Sequence, residues 1–231
     1  MTAPVRAAGV ELLDDPAADP ALVARVLTDL IRANRWLGGV AAMRHGLTAL
    51  FDRRDTGGHF TLLDVGTGAG DLPRAATRWA ARRGITLHTV GLERLRAAAR
   101  CNASRGGSTL LACGTALPFA DAGIDIVLIA QLLHHFDDDT VVRMLAEAQR
   151  VAARGVVITD LWPTPGAATG FRLAGRALGL HQVTIDDGVT SLARGRRTAA
   201  LAALAVRAGA LAPRATTPAP ARVIVSWRTD S

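Results

Sequence analysis

The sequence predicts an α/β protein built on a parallel sheet, and three observations carry that expectation. Thr61–Asp71 reads as an apolar strand, an acid, and three glycines in five positions ahead of a helix. Behind it, segments of strand period alternate with segments of helical period, the pattern of right-handed crossovers onto a parallel sheet. Finally, 231 residues with 49% hydrophobic content can bury a substantial core, which makes one domain with decoration the natural organisation.

Residues 1–20, with Pro4, Pro16 and Pro20, read as an irregular lead-in, and Asp19-Pro20 offers an N-cap and a first-turn proline. From Ala21 the apolar residues Leu22, Val23, Val26, Leu27, Leu30 and Ile31 recur at helical spacing. Asn34 to Gly39 interrupts this helix, and a second follows from Val40 to Phe51 with Met43, Leu47 and Leu50 inward. The glycine pair between them is either a plain helix break or a place where the segment lies close over a ligand.

Residues 52–59 are polar and glycine-bearing, as a linker should be. Strand one is expected over Phe60–Val65, a helix over Leu72–Arg83 with Ala75, Ala76, Trp79 and Ala80 facing the sheet, and strand two over Ile85–Leu92. A third helix from Leu95 to Ser104 leads through Gly106-Gly107 into strand three, Thr109–Cys113, and strand four is Ile124–Ala130. Gln131 to Phe136 follows it. Asp137 to Asp139 then cap a helix from Thr140 to Ala153, where acids suit the positive end of the helix dipole. Strand five is Val156–Thr159, ending in Asp160.

Beyond strand five, Leu161–Gly166 is a stiff exit loop, Phe171–Leu180 an amphipathic helix, and Asp186-Asp187-Gly188 a turn. Thr198–Ala208 is the last helix, and Leu211–Thr217 with Arg222–Trp227 form a final hairpin around Pro218 and Pro220. Residues 1–51 are thus expected as an N-terminal helical lid on a domain spanning 52–231, within which 161–197 is an inserted cap. Both pieces would cover the carboxyl edge of the sheet and form an acceptor pocket. Trp36, Trp162 and Phe171 are apolar enough to line it for a planar or lipophilic molecule, and Arg172, Arg176 and Arg194 to Arg197 either meet an acidic one or form a solvated face.

Composition narrows the partners. The net charge of +7 raises nucleic acid, but the basic residues are dispersed and the chain has no Tyr, so nothing resembles a base-stacking surface. No run of about eighteen apolar residues and no apolar signal core behind Met1 are present, which leads to the expectation of a cytoplasmic protein without a membrane span. Cys101 and Cys113 show neither metal-ligand spacing nor a disulfide framework, and no metal site is expected.

The chemistry concentrates at the strand ends. Gly66, Gly68 and Gly70 let the first turn adopt conformations other residues resist and let its backbone approach a ligand. Asp64 can accept hydrogen bonds from the loop or the ligand. Glu93 stands at the tip of strand two, some two dozen residues after the glycine turn, where a carboxylate can accept two hydrogen bonds from the vicinal diol of a nucleoside ribose. The alternative for Glu93 is a solvated helix-cap role.

In this order and spacing, Asp64 to Gly70, Glu93, Leu117-Pro118-Phe119, Ile124 to Val127 and Leu133 to Phe136 resemble a class I S-adenosylmethionine-dependent methyltransferase over roughly residues 60–160. The nearest flavour is the UbiE/Coq5-like small-molecule group, of the kind found beside polyketide pathways. The resemblance implies a seven-stranded Rossmann-like sheet, mostly parallel, with one antiparallel strand slotted in near its end. It implies S-adenosylmethionine as cofactor and S-adenosylhomocysteine as product, with Gly66, Thr67, Gly68 and Gly70 beside the methionine part, Glu93 on the ribose, and Gln131 near the reacting methyl. The family places an acid four residues before Leu-Pro-Phe to meet the adenine amino group; this chain has Cys113, so that contact would fall to the backbone around Gly114 and Thr115. Similar O-methyltransferases use a histidine of a His-His pair with an acid after the next strand, which points to His134, His135 and Asp160 as the candidate catalytic residues. A histidine suits deprotonation because its ordinary pKa lies near neutrality. The expected reaction is O-methylation of a phenolic or polyketide-type hydroxyl in secondary metabolism. Carbon methylation of a quinone or aromatic ring, a non-methylating reaction such as cyclisation, and RNA methylation are the alternatives.

Overall fold

The computed structural model describes residues 11–219 and 221–229. The expected lead-in therefore lies outside the described residues as far as residue 10, as does Pro220 of the final hairpin. In chain order the elements are α1 (Pro20–Trp36), α2 (Gly39–Thr48), β1 (His59–Val65), α3 (Asp71–Ala81), β2 (Thr86–Glu93), α4 (Arg96–Ala103), β3 (Thr109–Leu111) and β4 (Ile124–Ala130). They continue as α5 (Asp138–Val151), β5 (Ala152–Leu161), α6 (Ala167–Ala177), α7 (Gln182–Arg194), α8 (Thr198–Arg207), β6 (Arg214–Thr216) and β7 (Arg222–Arg228).

The strands form a seven-stranded sheet in the order β3-β2-β1-β4-β5-β7-β6. β7 pairs antiparallel with both neighbours, while the pairs from β3 to β5 are parallel. This is the expected Rossmann-like sheet with one reversed strand near its end. Successive residues of the central strands point to opposite faces. Leu62, Ile126, Leu128 and Val157 join a core with Met43, Leu47 and Leu50 of the α2 region and Trp79 of α3. Leu63, Val127, Ile129 and Val156 join the other, with Val141 and Leu145 of α5 and Leu201 of α8. Both faces are therefore apolar, as a parallel sheet covered on both sides demands.

Helix termini follow local chemistry. The Asp19 side chain accepts from Ala21 N at the start of α1, with Pro20 in the first turn. Asp137 accepts from Thr140 N at the start of α5. Glycine sets how closely α2 can lie on the sheet: a Cβ on Gly46 would stand 2.3 Å from Val157 Cγ1.

Several boundaries differ from expectation. α1 continues through Asn34 to Trp36, and the break falls at Gly38, whose φ of 90° belongs to the left-handed region. The 52–59 linker contains a 3₁₀ turn, Arg53–Asp55. β5 is longer than Val156–Thr159 and β3 shorter than Thr109–Cys113. Asp186-Asp187-Gly188 is no turn but the middle of α7. Packing overrides turn chemistry there, because the Phe171 ring of α6 fills the space where a Gly188 side chain would stand. The amphipathic helix begins at Ala167, just after Gly166, rather than at Phe171.

Candidate functional site

A cavity of about 870 Å³ opens at the carboxyl edge of the sheet. That is near the upper end of the roughly 300–1,000 Å³ typical of small-molecule sites, and it lies where open α/β sheets bind ligands. Its floor is the turn after β1. Gly66, Gly68 and Gly70 all have positive φ, between 53° and 77°. A Cβ on Gly66 would press on the Leu132 side chain at 2.8 Å. Gly66 N and Thr67 N both donate to Leu92 O, which folds the turn onto the end of β2.

Of the predicted cofactor residues, Asp64, Gly66, Thr67, Gly68, Glu93, Cys113, Gly114, Thr115 and Gln131 line the cavity. Gly70 does not. It precedes α3, and a side chain there would collide with Asn102 Oδ1 and the Arg74 guanidinium, so its glycine serves packing. Glu93 accepts from Gly68 N at 3.1 Å through Oε2 and from Arg94 N and Leu95 N through Oε1. It ties two ligand-facing loops together, and because its bonds to Arg94 N and Leu95 N fall before α4 begins, it does not cap that helix.

Asp64 is buried at the cavity wall, with Oδ1 lacking a hydrogen-bond partner, and Thr67 Oγ1 nearby is also unpartnered. Burial pushes the Asp64 carboxyl up to about 8 against the opposing effect of the Thr67 hydroxyl beside it, and the charges of Asp71 and Glu93 add to the rise. Buried acceptors without donors are costly unless a ligand supplies them. The residues present thus suit a ligand with ammonium and hydroxyl donors, such as S-adenosylmethionine. Cys113 is exposed, its Sγ 3.1 Å from Thr115 Oγ1, and that hydroxyl together with the Thr115 backbone holds the thiol below its ordinary range.

The 3₁₀ turn Leu133–His135 carries the histidine pair. Both rings line the cavity. His134 Nδ1 is 2.6 Å from Asp160 Oδ1, and His134 N donates to Asp160 Oδ2 at 3.2 Å. Leu161 N donates to Oδ1 as well. Asp160 does not itself reach the cavity; it acts on His134 from behind. Burial would raise its carboxyl, but His134 and the Leu161 N–H outweigh this and hold it below the usual range. His135 has different company: Nδ1 lies 2.9 Å from Asp14 Oδ1, and Nε2 lies 3.7 Å from Glu11 Oε2. Burial lowers its pKa, yet Asp14 and Glu11 override this and raise it above the ordinary value.

Glu11, His134 and His135 offer ligand atoms within 4.8 Å of one another, a spacing a divalent cation could bridge. Each is already engaged inside the protein: His134 with Asp160, His135 with Asp14, and Glu11 with Ser191 Oγ at 2.8 Å and Arg194 at 3.3 Å. Arg196 secures the turn from beneath by donating to Leu133 O and Phe136 O. Arg194 and Arg196 therefore spend their charge on the protein. Arg172 and Arg176 stay exposed and do not line the cavity. Phe171 lines it, Trp36 lies at its wall 63% exposed, and Trp162 packs against the core beneath α5 and α8 instead.

Four lining residues, three of which the sequence did not single out as site residues, form one hydrogen-bonded chain. Asn34 Nδ2 donates to Asp71 Oδ2 at 3.0 Å, Gln131 Nε2 to Asn34 Oδ1 at 2.6 Å, and Arg222 Nη1 to Gln131 Oε1 at 2.9 Å. Gln131 itself was expected; Asn34, Asp71 and Arg222 complete the row, and Glu11 and Asp14 are the other additions. Gly39 makes the chain sterically feasible, since a Cβ there would sit 2.2 Å from Asn34 Oδ1. The glycine pair is thus more than a plain break. Gln131 has φ of 51°, a strained conformation of the sort that concentrates at ligand-binding positions. A lone arginine opening an apolar strand was the available signal for Arg222.

Residues 63–159 match a family described as a methyltransferase domain. An uncharacterized methyltransferase of Mycolicibacterium gilvum (strain PYR-GCK) is 42% identical over 81 residues, covering 33% of this chain and 29% of that protein. This chain thus spans a little under a third of that relative's length. Among solved structures, mitomycin 7-O-methyltransferase is 25% identical with a TM-score of 0.60, over 96% of this chain and 61% of that one. Human N-acetylserotonin methyltransferase, solved with S-adenosylmethionine, superposes with a TM-score of 0.64 at 12% identity over 92% and 57% of the two chains. A SAM-dependent methyltransferase from Aquifex aeolicus does so with a TM-score of 0.59 at 15% identity over 91% and 98%. The match over residues 63–159 and the shared fold together liken this chain to S-adenosylmethionine-dependent methyltransferases.

Proposed function

We propose that this chain is a small-molecule O-methyltransferase that uses S-adenosylmethionine, with His134 as the base that takes the acceptor's hydroxyl proton. The observation that carries this reading is the His134–Asp160 pair at the cavity wall. S-Adenosylmethionine, when bound, supplies an already activated methyl group, so the protein's task is alignment and proton removal. The carboxylate at Nδ1 favours the tautomer with the proton on that nitrogen, leaving the Nε2 lone pair free to accept one. Glu93, Asp64, Thr67 and the glycine turn would hold the cofactor, and the backbone at Gly114 and Thr115 its adenine.

Carbon methylation of an activated ring would have less use for a buried, carboxylate-oriented imidazole, which favours oxygen as the methylated atom. The likeness to mitomycin 7-O-methyltransferase supports a place in natural-product tailoring. Segments 11–51 and 161–197 are proposed as the cover of the acceptor pocket, since Leu27, Leu37, Phe171 and Leu192 all line it. A phenolic or polyketide-type acceptor, planar or lipophilic, suits walls of that kind. Among the described residues no helix is long and apolar enough to cross a membrane, and a cytoplasmic setting rests on the sequence alone.

The test is methyl incorporation from isotopically labelled S-adenosylmethionine into a panel of phenols and hydroxylated polyaromatics, with wild type and His134→Gln. Label on oxygen that disappears in the variant supports the reading. Label on carbon, or oxygen methylation undiminished in the variant, rejects it.

A further inference from the structure

Arg222 is a buried cation that no carboxylate contacts among the described residues. Only 6% of it is exposed, yet it lines the cavity. Its partners are neutral: Nε and Nη2 donate to Leu37 O at 3.3 and 3.0 Å, and Nη1 donates to Gln131 Oε1 at 2.9 Å. Of the five N–H groups of a guanidinium, those bonds use three. No carboxylate lies within ion-pair distance among the described residues. Asp160, the nearby acid that acts on it through space, already accepts from His134 and from two backbone N–H groups. Burial lowers the guanidinium pKa to about 10, which leaves it charged at neutral pH.

A charge removed from water without a counter-charge in contact is expensive, and proteins retain one chiefly where something else supplies the partner. Two spare N–H groups in a fixed fork suit an oxyanion. The position is specific as well. β7 begins at the carboxyl edge, beyond β5, and Glu93 ends β2 on the far side of β1 and β4. Four strand spacings of about 4.8 Å separate the two strands, so Arg222 enters from the side of the cavity opposite the predicted ribose contact. His134 and Gln131 follow β4, between them.

We propose that Arg222 docks an anionic oxygen of a ligand in this cavity, a carboxylate or an acidic phenol or enol. Two molecules could bring it: the acceptor, or the amino-acid end of the cofactor. The assignment rests on the proposed reading of the cavity as a cofactor-and-acceptor site. In either case the Asp71–Asn34–Gln131–Arg222 row presents an acid at one end and a cation at the other.

The experiment is calorimetric titration of the full chain, as wild type, Arg222→Gln and Arg222→Lys, with two matched ligand pairs. S-Adenosylhomocysteine is compared with its decarboxylated analogue. On protein saturated with S-adenosylhomocysteine, 1-hydroxy-2-naphthoate is compared with the neutral 1-hydroxy-2-naphthamide. The expected result is at least a tenfold preference of wild type for the acid of one pair, retained in part by Arg222→Lys and abolished in Arg222→Gln. Preference within the first pair assigns the cofactor's carboxylate as the ligand, and preference within the second assigns the acceptor's. If Arg222→Gln does not fold, Arg222→Lys decides, and a wild-type preference that it leaves undiminished overturns the proposal. Absence of preference in both pairs, including failure of the naphthoate to bind, overturns the proposal while leaving methyl transfer intact. Failure of folded wild type to bind S-adenosylhomocysteine at all would instead sink the reading of the cavity.

Discussion

His134 Nδ1 stands 2.6 Å from Asp160 Oδ1, and both residues are almost wholly shielded from solvent. A buried carboxylate at one ring nitrogen fixes the ring's orientation and its tautomer, and thereby decides what the other nitrogen can do. For His134→Gln, turnover is expected to fall about 100- to 10,000-fold with S-adenosylhomocysteine affinity little changed, as loss of a general base would predict. Asp160→Asn should lower turnover by a similar order, because an amide can hold the wrong tautomer. Steady-state kinetics beside calorimetry checks both, and a variant that keeps turnover would remove the dyad from the mechanism.

The Gly66 backbone, at φ 77°, tolerates a side chain poorly, and Leu132 occupies the space it would take. Gly66→Ala should cost about 1–2 kcal/mol in urea denaturation from the left-handed conformation alone, and should weaken cofactor binding further. A variant of unchanged stability and affinity would show that the turn relaxes freely.

Glu93 accepts three backbone N–H groups across two loops. Its replacement by alanine removes charge-assisted bonds worth roughly 1.5–3 kcal/mol each to whatever they serve. S-Adenosylhomocysteine affinity in Glu93→Ala should therefore fall by about tenfold or more, with a lowered Tm. An affinity equal to wild type would restrict Glu93 to bracing the two loops.

Asp64 and His135 make stability depend on pH in the same direction. A folded Asp64 pKa of about 8 against an unfolded 3.8 means the folded state holds the proton through that window while the unfolded state releases it. Stability without ligand should thus decline as pH rises from about 4 to 8, and Asp64→Asn should flatten the decline. His135 has a raised folded pKa, so its contribution is complete below the unfolded value of about 6.5 and is lost as pH rises through the folded one. In His135→Gln the loss above pH 6.5 should shrink. Melting temperatures from pH 5 to 9 in the three proteins separate the two effects, and parallel curves would refute both.

The strands were legible because a two-sided core leaves no choice: Ile124–Ala130 is apolar almost throughout, and its bounds are those expected. The glycine turn, Glu93 and the nearness of the histidine pair to Asp160 could be read because each sits at a strand end, where order along the chain fixes position along the sheet edge; that His134 rather than His135 takes Asp160 could not. Helix interiors were harder. Asp186-Asp187-Gly188 carries turn residues, yet the fit of Gly188 against Phe171 keeps it helical, and only the tertiary partner reveals this. Arg222 lies more than 90 residues beyond Gln131 in sequence, so their contact has no local signature. The roles of Glu11 and Asp14 depend likewise on His135 and α7, far along the chain.

The reversed strand has a consequence for how the molecule is assembled during synthesis. β6 leaves the ribosome before β7 but touches the sheet through β7, which lies between it and β5. Until β7 is made, β5 presents an open edge, a template for unwanted pairing between nascent chains. Closing that edge joins Gly155–Leu161 to residues some 60 to 70 positions later, a contact between distant segments that forms slowly. The same event delivers Arg222 to the cavity, so the ligand site gains its buried charge when the sheet is completed.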